Sequence, residues 1–115
     1  MKTVSITLEE PIDLPSGKIT AVVVREPRAG DIIDVGGDPS LLARTETGVV
    51  ISVESDDKIR GYLERLVQTE TGSPLSMALL RTASVVDYMR IRDAVLDFFG
   101  KARERAWKID SGSSS

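Results

Sequence analysis

Hydrophobic and polar positions alternate from the start of the chain. In KTVSITLEE, Val4, Ile6 and Leu8 fall on one side and Thr3, Ser5 and Thr7 on the other, the period of two that marks a strand with one buried face. Pro11 has no N–H for a ladder, so it ends this strand or sits at an edge or bulge. DLPSGK then reads as a turn, with Pro15 presetting φ and Gly17 free to take a positive one. ITAVVVRE, rich in β-branched residues, completes an antiparallel β-hairpin over residues 3–26. Pro27 stops the second strand and Gly30-Asp31 begin a new direction.

Residues 32–56 carry a less regular pattern. Asp38-Pro39 has the form of an N-cap followed by proline at the first helical position. The run Val49-Val50-Ile51 suits a strand or a buried helix; as a strand it would join the hairpin as a third member. From Asp56 the period changes to 3.6. Ile59, Tyr62, Leu63, Leu66 and Val67 share one helical face, with Lys58, Arg60, Glu64, Arg65 and Gln68 opposite. Gly72 suits a C-terminal cap, and Ser73-Pro74 the start of a short helix through PLSMALLR.

The longest helical pattern begins after Ser84, with Asp87 three residues on in the manner of a capping box. Tyr88, Ile91, Val95, Phe98 and Ala102 form one apolar row, and Val85, Met89, Leu96 and Phe99 a second. Gly100 is a weak point, costing up to about 1 kcal/mol relative to alanine. IDSGSSS, residues 109–115, reads as a flexible polar tail. The expected fold is therefore α+β, one domain over residues 1–108: a hairpin, with the third strand if Val49–Val53 supplies it, then two or three helices.

Composition narrows the chemistry. A chain of 115 residues is one domain's worth and should bury roughly two thirds of its unfolded surface. Net charge is −3 with pI near 5.0, and no basic stripe is interleaved with aromatics, which argues against a nucleic-acid partner. Cysteine and histidine are both absent, removing disulfides, thiolate chemistry, the usual general base and the commonest metal ligand. Apolar runs are far shorter than the ~20 residues of a membrane span, and the N-terminus lacks a signal-peptide pattern. These readings point to a cytoplasmic protein with neither a membrane nor a nucleic-acid partner.

Two stretches invite a catalytic or phosphate reading. VREPRAGD joins an arginine to a glycine turn, but one glycine beside a proline makes a poor phosphate cradle. A strand end and a turn, with Asp31 capping the next element, account for it better. Asp87, Asp93 and Asp97 stand near Arg90 and Arg92 and read as an ordinary charged face. No pair of acids is singled out as catalytic, and no cofactor is expected. Among the aromatics, adjacent Phe98 and Phe99 cannot point the same way on a helix, and Trp107 stands among charges. Tyr88, Phe98, Phe99 and Trp107 are therefore the candidate partner-binding residues.

Certain positions together form a recognisable set: Leu8, Pro11-Ile12 and Gly17 in the hairpin; Arg25, Pro27, Gly30 and Asp31 at the turn; Asp87-Tyr88, Val95 and Phe98-Phe99 in the last helix. With them the chain resembles the small tail assembly chaperones of Mu-like and related long-tailed bacteriophages, over about two thirds of its length. It departs from their pattern in the middle, where VGGDPSLLARTETGVVISVES is extra. The resemblance implies a non-enzymatic, cytoplasmic protein that binds the tape-measure protein of the same phage. It would hold that long helical chain until tail-tube subunits polymerise around it, and be absent from the finished virion. A second copy of the chain is a further candidate partner. Two other classes fit the same composition: a head–tail connector or tail-completion subunit, and a small bacterial regulatory interaction module.

Overall fold

The computed structural model describes residues 2–113, except for the side chains of Trp107 and of residues 109–113. The alternating N-terminal segments form β1 (Thr3–Leu14) and β2 (Gly17–Arg25), antiparallel, with Val4 opposite Val24 and Ile6 opposite Val22. Ile6, Leu8, Ile12, Val22 and Val24 are buried, as the alternation requires, and Ile19, opposite Ile12 beyond the register shift, is buried with them. Between the pairs Thr7–Ala21 and Ile12–Ile19 the register shifts, so residues 8–11 bulge opposite Thr20. Pro11 sits in this bulge, where its missing N–H leaves no ladder bond unmade. Gly17 closes the turn at φ +147°, a value that side-chain-bearing residues rarely adopt.

Helix α1 (Ala29–Val35) follows the turn, then a second hairpin, β3 (Ser40–Arg44) and β4 (Val50–Glu54). Helix α2 (Asp56–Leu66) leads into β5 (Val67–Thr69), the short α3 (Met77–Leu80) and the long α4 (Val85–Ser113). Ile59, Tyr62, Leu63 and Leu66 of α2 and Ile91 and Val95 of α4 are buried with the inner face of the sheet, so the core is a sheet roofed by two helices. Gly61 lets α1 approach α2: a Cβ there would meet a Val35 methyl at 3.2 Å. The fold is α+β, as the sequence predicts.

Several expectations are corrected. The third strand of the main sheet is β5, in the order β1-β2-β5, with Val67 opposite Val24. Val50–Glu54 pairs instead with Ser40–Arg44 in a separate two-stranded sheet. Asp38-Pro39 therefore precedes a strand rather than a helix. Helix α2 stops at Leu66 because Val67 gains a strand partner in β2, although it continues the helical spacing. Gly72 lies in the turn that donates Gly72 N–H to Thr69 O, 2.9 Å, rather than capping the helix. Pro74 bridges to Gln68, and the short helix starts later, capped by Ser76, whose Oγ accepts from Leu79 N–H at 3.3 Å. The Ser84 start holds, with Ser84 Oγ accepting from Asp87 N–H at 3.1 Å. Gly100 does not interrupt α4, whose backbone runs on to Ser113, into the segment read as a polar tail.

Candidate functional site

The turn Arg25, Pro27, Gly30, Asp31 is a latch. Asp31, in the first turn of α1, is almost wholly buried. Arg25 grips its carboxylate with two bonds, Nη1 to Oδ2 at 2.8 Å and Nη2 to Oδ1 at 2.9 Å, the parallel fork that guanidinium and carboxylate geometry favour. Arg28 N–H donates to Oδ2 at 2.8 Å and Arg65 Nε to Oδ1 at 2.9 Å. Arg65 also reaches Asp34 Oδ2 at 2.9 Å. One carboxylate thus ties the end of β2, the start of α1 and the last turn of α2. The Arg25 bond, followed by those from Arg28 and Arg65, holds Asp31 well below the usual carboxylate range despite burial, which acts the other way. Arg25 is raised in turn by Asp31. With its arginines engaged the turn is a joint, not an anion cradle. Gly30 has no neighbour within 4 Å of a built Cβ, so close packing does not account for it.

A second joint is hidden in what reads as a charged helical face. Asp87 is fully buried. Its Oδ1 accepts from Glu9 N–H at 2.8 Å and its Oδ2 from Glu10 N–H at 3.0 Å. These are amides that the bulge turns away from β2, so the first strand is stapled to the last helix. Arg90 adds a bond from Nη1 to Thr7 O at 2.8 Å. Burial alone would raise the Asp87 pKa; the two amides, the Ser84 hydroxyl and Arg90 outweigh it and lower it. The sequence signal is the Ser84-x-x-Asp87 start together with a proline inside a strand, and neither names the partner.

The VGGDP loop also has a structural purpose. Lys58 Nζ donates to Gly36 O at 2.8 Å and the Tyr62 hydroxyl to Gly37 O at 2.5 Å, so the loop offers acceptors to α2. Among the described residues no group of three or more Asp or Glu side chains is placed to hold a metal ion.

The candidate partner-binding residues do not share one surface. Phe99 packs inward on Tyr62, ring centroids 4.7 Å apart and planes tilted by 60°. Tyr88 borders a small apolar hollow of about 210 Å³ with Met77, Leu80, Ala83 and Val85. Phe98 lies on the opposite flank from Phe99 and lines the larger concavity, about 520 Å³, between β1 and the second half of α4. The side chain of Trp107 lies outside the described residues.

That larger groove has an apolar floor of Val4, Pro27, Ala94, Phe98 and Ala102. Its rim mixes signs: Lys2, Lys101, Arg105 and Lys108 against Glu26, Asp97 and Glu104. Pro27 thus belongs both to the latch segment and to the groove wall. Sequence patterning misses Val4, which the strand alternation assigns to the core although it is 39% exposed. It also misses the bare apolar residues of β3 and β4. Among the described residues no helix is long and apolar enough to cross a membrane. Comparison with known proteins finds no matching family model, no matching curated protein and no matching solved structure.

Proposed function

We infer that this protein is a non-enzymatic tail assembly chaperone of a long-tailed bacteriophage, acting in the bacterial cytoplasm on the tape-measure protein before the tail tube polymerises. The observation that carries the inference is the groove between β1 and α4. Its floor is apolar and its rim carries both signs of charge, the kind of surface that an amphipathic helix lays its apolar face into. Support comes also from the residues behind the resemblance. Arg25 and Asp31 form one joint, Asp87 forms the other at the bulge containing Pro11, and Pro27 and Phe98 line the groove. The bonds from Asp87 and Arg90 to β1 hold the hairpin and the last helix in fixed relation, leaving the groove between them preformed.

Co-expression with the tape-measure protein tests this. The expected result is a soluble complex that co-elutes, with the tape-measure protein insoluble alone. Ala102→Glu, which puts a charge on the groove floor at an exposed helical site, is expected to abolish co-elution while leaving thermal stability unchanged. A tape-measure protein that stays insoluble, or is soluble without binding, sinks the inference. Isolation of the chain as a ring from purified virions would favour a connector subunit instead.

A further inference from the structure

The β3–β4 hairpin contributes nothing to the core: none of its strand residues is buried. Yet Leu41, Leu42, Val50, Ile51 and Val53 each leave 44–69% of their surface in solvent. Directly opposed residues share a face, so Leu41, Ala43, Ile51 and Val53 form one face without a charge. The other face carries Arg44 and Glu54, and Glu54 is ion-paired with Arg92 of α4. The charge-free face is therefore not the one tied to α4 by this pair.

The register also fixes where the backbone groups point. Ser55 N–H donates to Pro39 O and Thr45 N–H to Val49 O, both at 2.8 Å across the hairpin. Bonding alternates from pair to pair in an antiparallel ladder, so Val50, Ser52 and Glu54 turn their N–H and C=O groups outward along the free edge of β4. Exposed edges are ordinarily blunted by lysine, proline or a bulge. Val50–Glu54 has none of these, and Val50, Ile51 and Val53 are all β-branched strand formers. A two-stranded sheet by itself is marginal.

We propose that β4 pairs with β4 of a second copy of this chain, antiparallel about a two-fold axis at Ser52, joining two hairpins into one four-stranded sheet. Self-complementarity selects the second copy over an unrelated strand. The two-fold sets Ser52 beside Ser52, Ile51 beside Val53 and Val50 beside Glu54 of the other copy. Apolar residues then meet on the charge-free face and no like charges are opposed, as an isologous contact requires. In this register the outward groups of Val50, Ser52 and Glu54 fall into the hydrogen-bonded positions. The hairpin is also held ready. Ser55 is bonded to Pro39 at its base, Glu54 is paired with Arg92, and the preceding Asp38 with Arg103, so little ordering is needed on association. The proposal is independent of the tape-measure inference.

Sedimentation of the full chain over a range of concentrations tests it. The wild type is expected to double in mass. Ser52→Pro removes an outward N–H without touching the bonds to β3, and is expected to weaken self-association roughly 10- to 100-fold. Because the chain has no cysteine, Ser52→Cys supplies a single reporter thiol. Hydrogen-bonded partners have Cα atoms about 5.5 Å apart, within disulfide reach. Oxidation should therefore give a covalent dimer from Ser52→Cys, and not from Leu42→Cys on the outer edge of β3. A wild type that stays monomeric overturns the proposal. So does a dimer insensitive to Ser52→Pro, or cross-linking that favours Leu42→Cys. Should Ser52→Pro unfold the hairpin, the two cysteine variants decide alone.

Discussion

The hairpins β1–β2 and β3–β4 share a local pattern, apolar strand residues around a short turn, with β-branched residues in β1, β2 and β4, and they end in opposite environments. In the first, Ile6 is 6% exposed beneath the helices; in the second, Ile51 is 44% exposed. The outer edges differ as well. β1 is held by Asp87 and Arg90, and β2 is covered by β5, whereas β4 presents an open edge. Pattern along a strand thus reports that a face wants cover, while the cover itself comes from distant segments. Where no segment of the same chain supplies it, the pattern becomes a statement about association.

The sharpest test of this contrast is one substitution made in both hairpins. Ile6→Thr keeps β-branching but buries a hydroxyl and removes methyl packing; it is expected to cost about 3 kcal/mol and to lower the melting temperature by roughly 10 °C. Next in size is Asp31→Asn, which weakens the latch under the first hairpin. About 2 kcal/mol is expected, less than for a wholly buried pair because Arg65 is 39% exposed. Gly61→Ala should fall short of the ~1 kcal/mol that alanine otherwise brings to a helix interior, because its methyl presses on Val35 at 3.2 Å between α1 and α2. At the other end of the scale, Ile51→Thr should change monomer stability by less than ~0.5 kcal/mol. Urea unfolding of the four variants measures all of these. Equal losses at Ile6 and Ile51 would erase the distinction between the hairpins.

Acid sharpens the comparison further. Asp31 and Asp87 both have lowered pKa values in the folded chain. Their contribution is therefore fully present above the ordinary carboxylate pKa of about 4 and is lost as pH falls through the folded values. With no histidine or cysteine side chain to titrate, stability should be nearly flat between about pH 6 and 8. Below about pH 4 the urea midpoint should drop, and less steeply in Asp31→Asn.

How much of this is legible in the sequence depends on how local each signal is. β1, β2, the body of α2 and α4 announce themselves by period, because a half-buried strand and a helix need only their own spacing. Val67 reads as helix because its spacing is as good as that of Leu66, and only the proximity of β2 makes it a strand. β3 is masked by Asp38-Pro39, a helix-start pair that here leads into a hairpin. Seven-residue α1 is too short to show a period. Of the site, Asp31 is visible as a cap, but its two arginines come from β2 and from α2, 34 residues away in the case of Arg65. Asp87 looks like one more helical acid, since the amides it serves lie 78 and 77 residues earlier. The groove is legible only through Phe98; Val4 and Pro27 reach it by the way the strand crosses the helix.

The staple between β1 and Asp87 also sets an order of events in synthesis. The first strand emerges from the ribosome with an apolar face and a bulge whose amide partner has yet to be made. Its cover, Ile91 and Val95, arrives later still, within the last quarter of the chain. The domain must therefore wait until almost all of it has been translated before it closes. This separation also places the staple among the slow, non-local contacts of folding. Pulse proteolysis of stalled nascent chains should find β1 sensitive until α4 has left the exit tunnel. For as long as that wait lasts, Ile6, Leu8 and Val22 have the residues of α2 but not those of α4 to cover them.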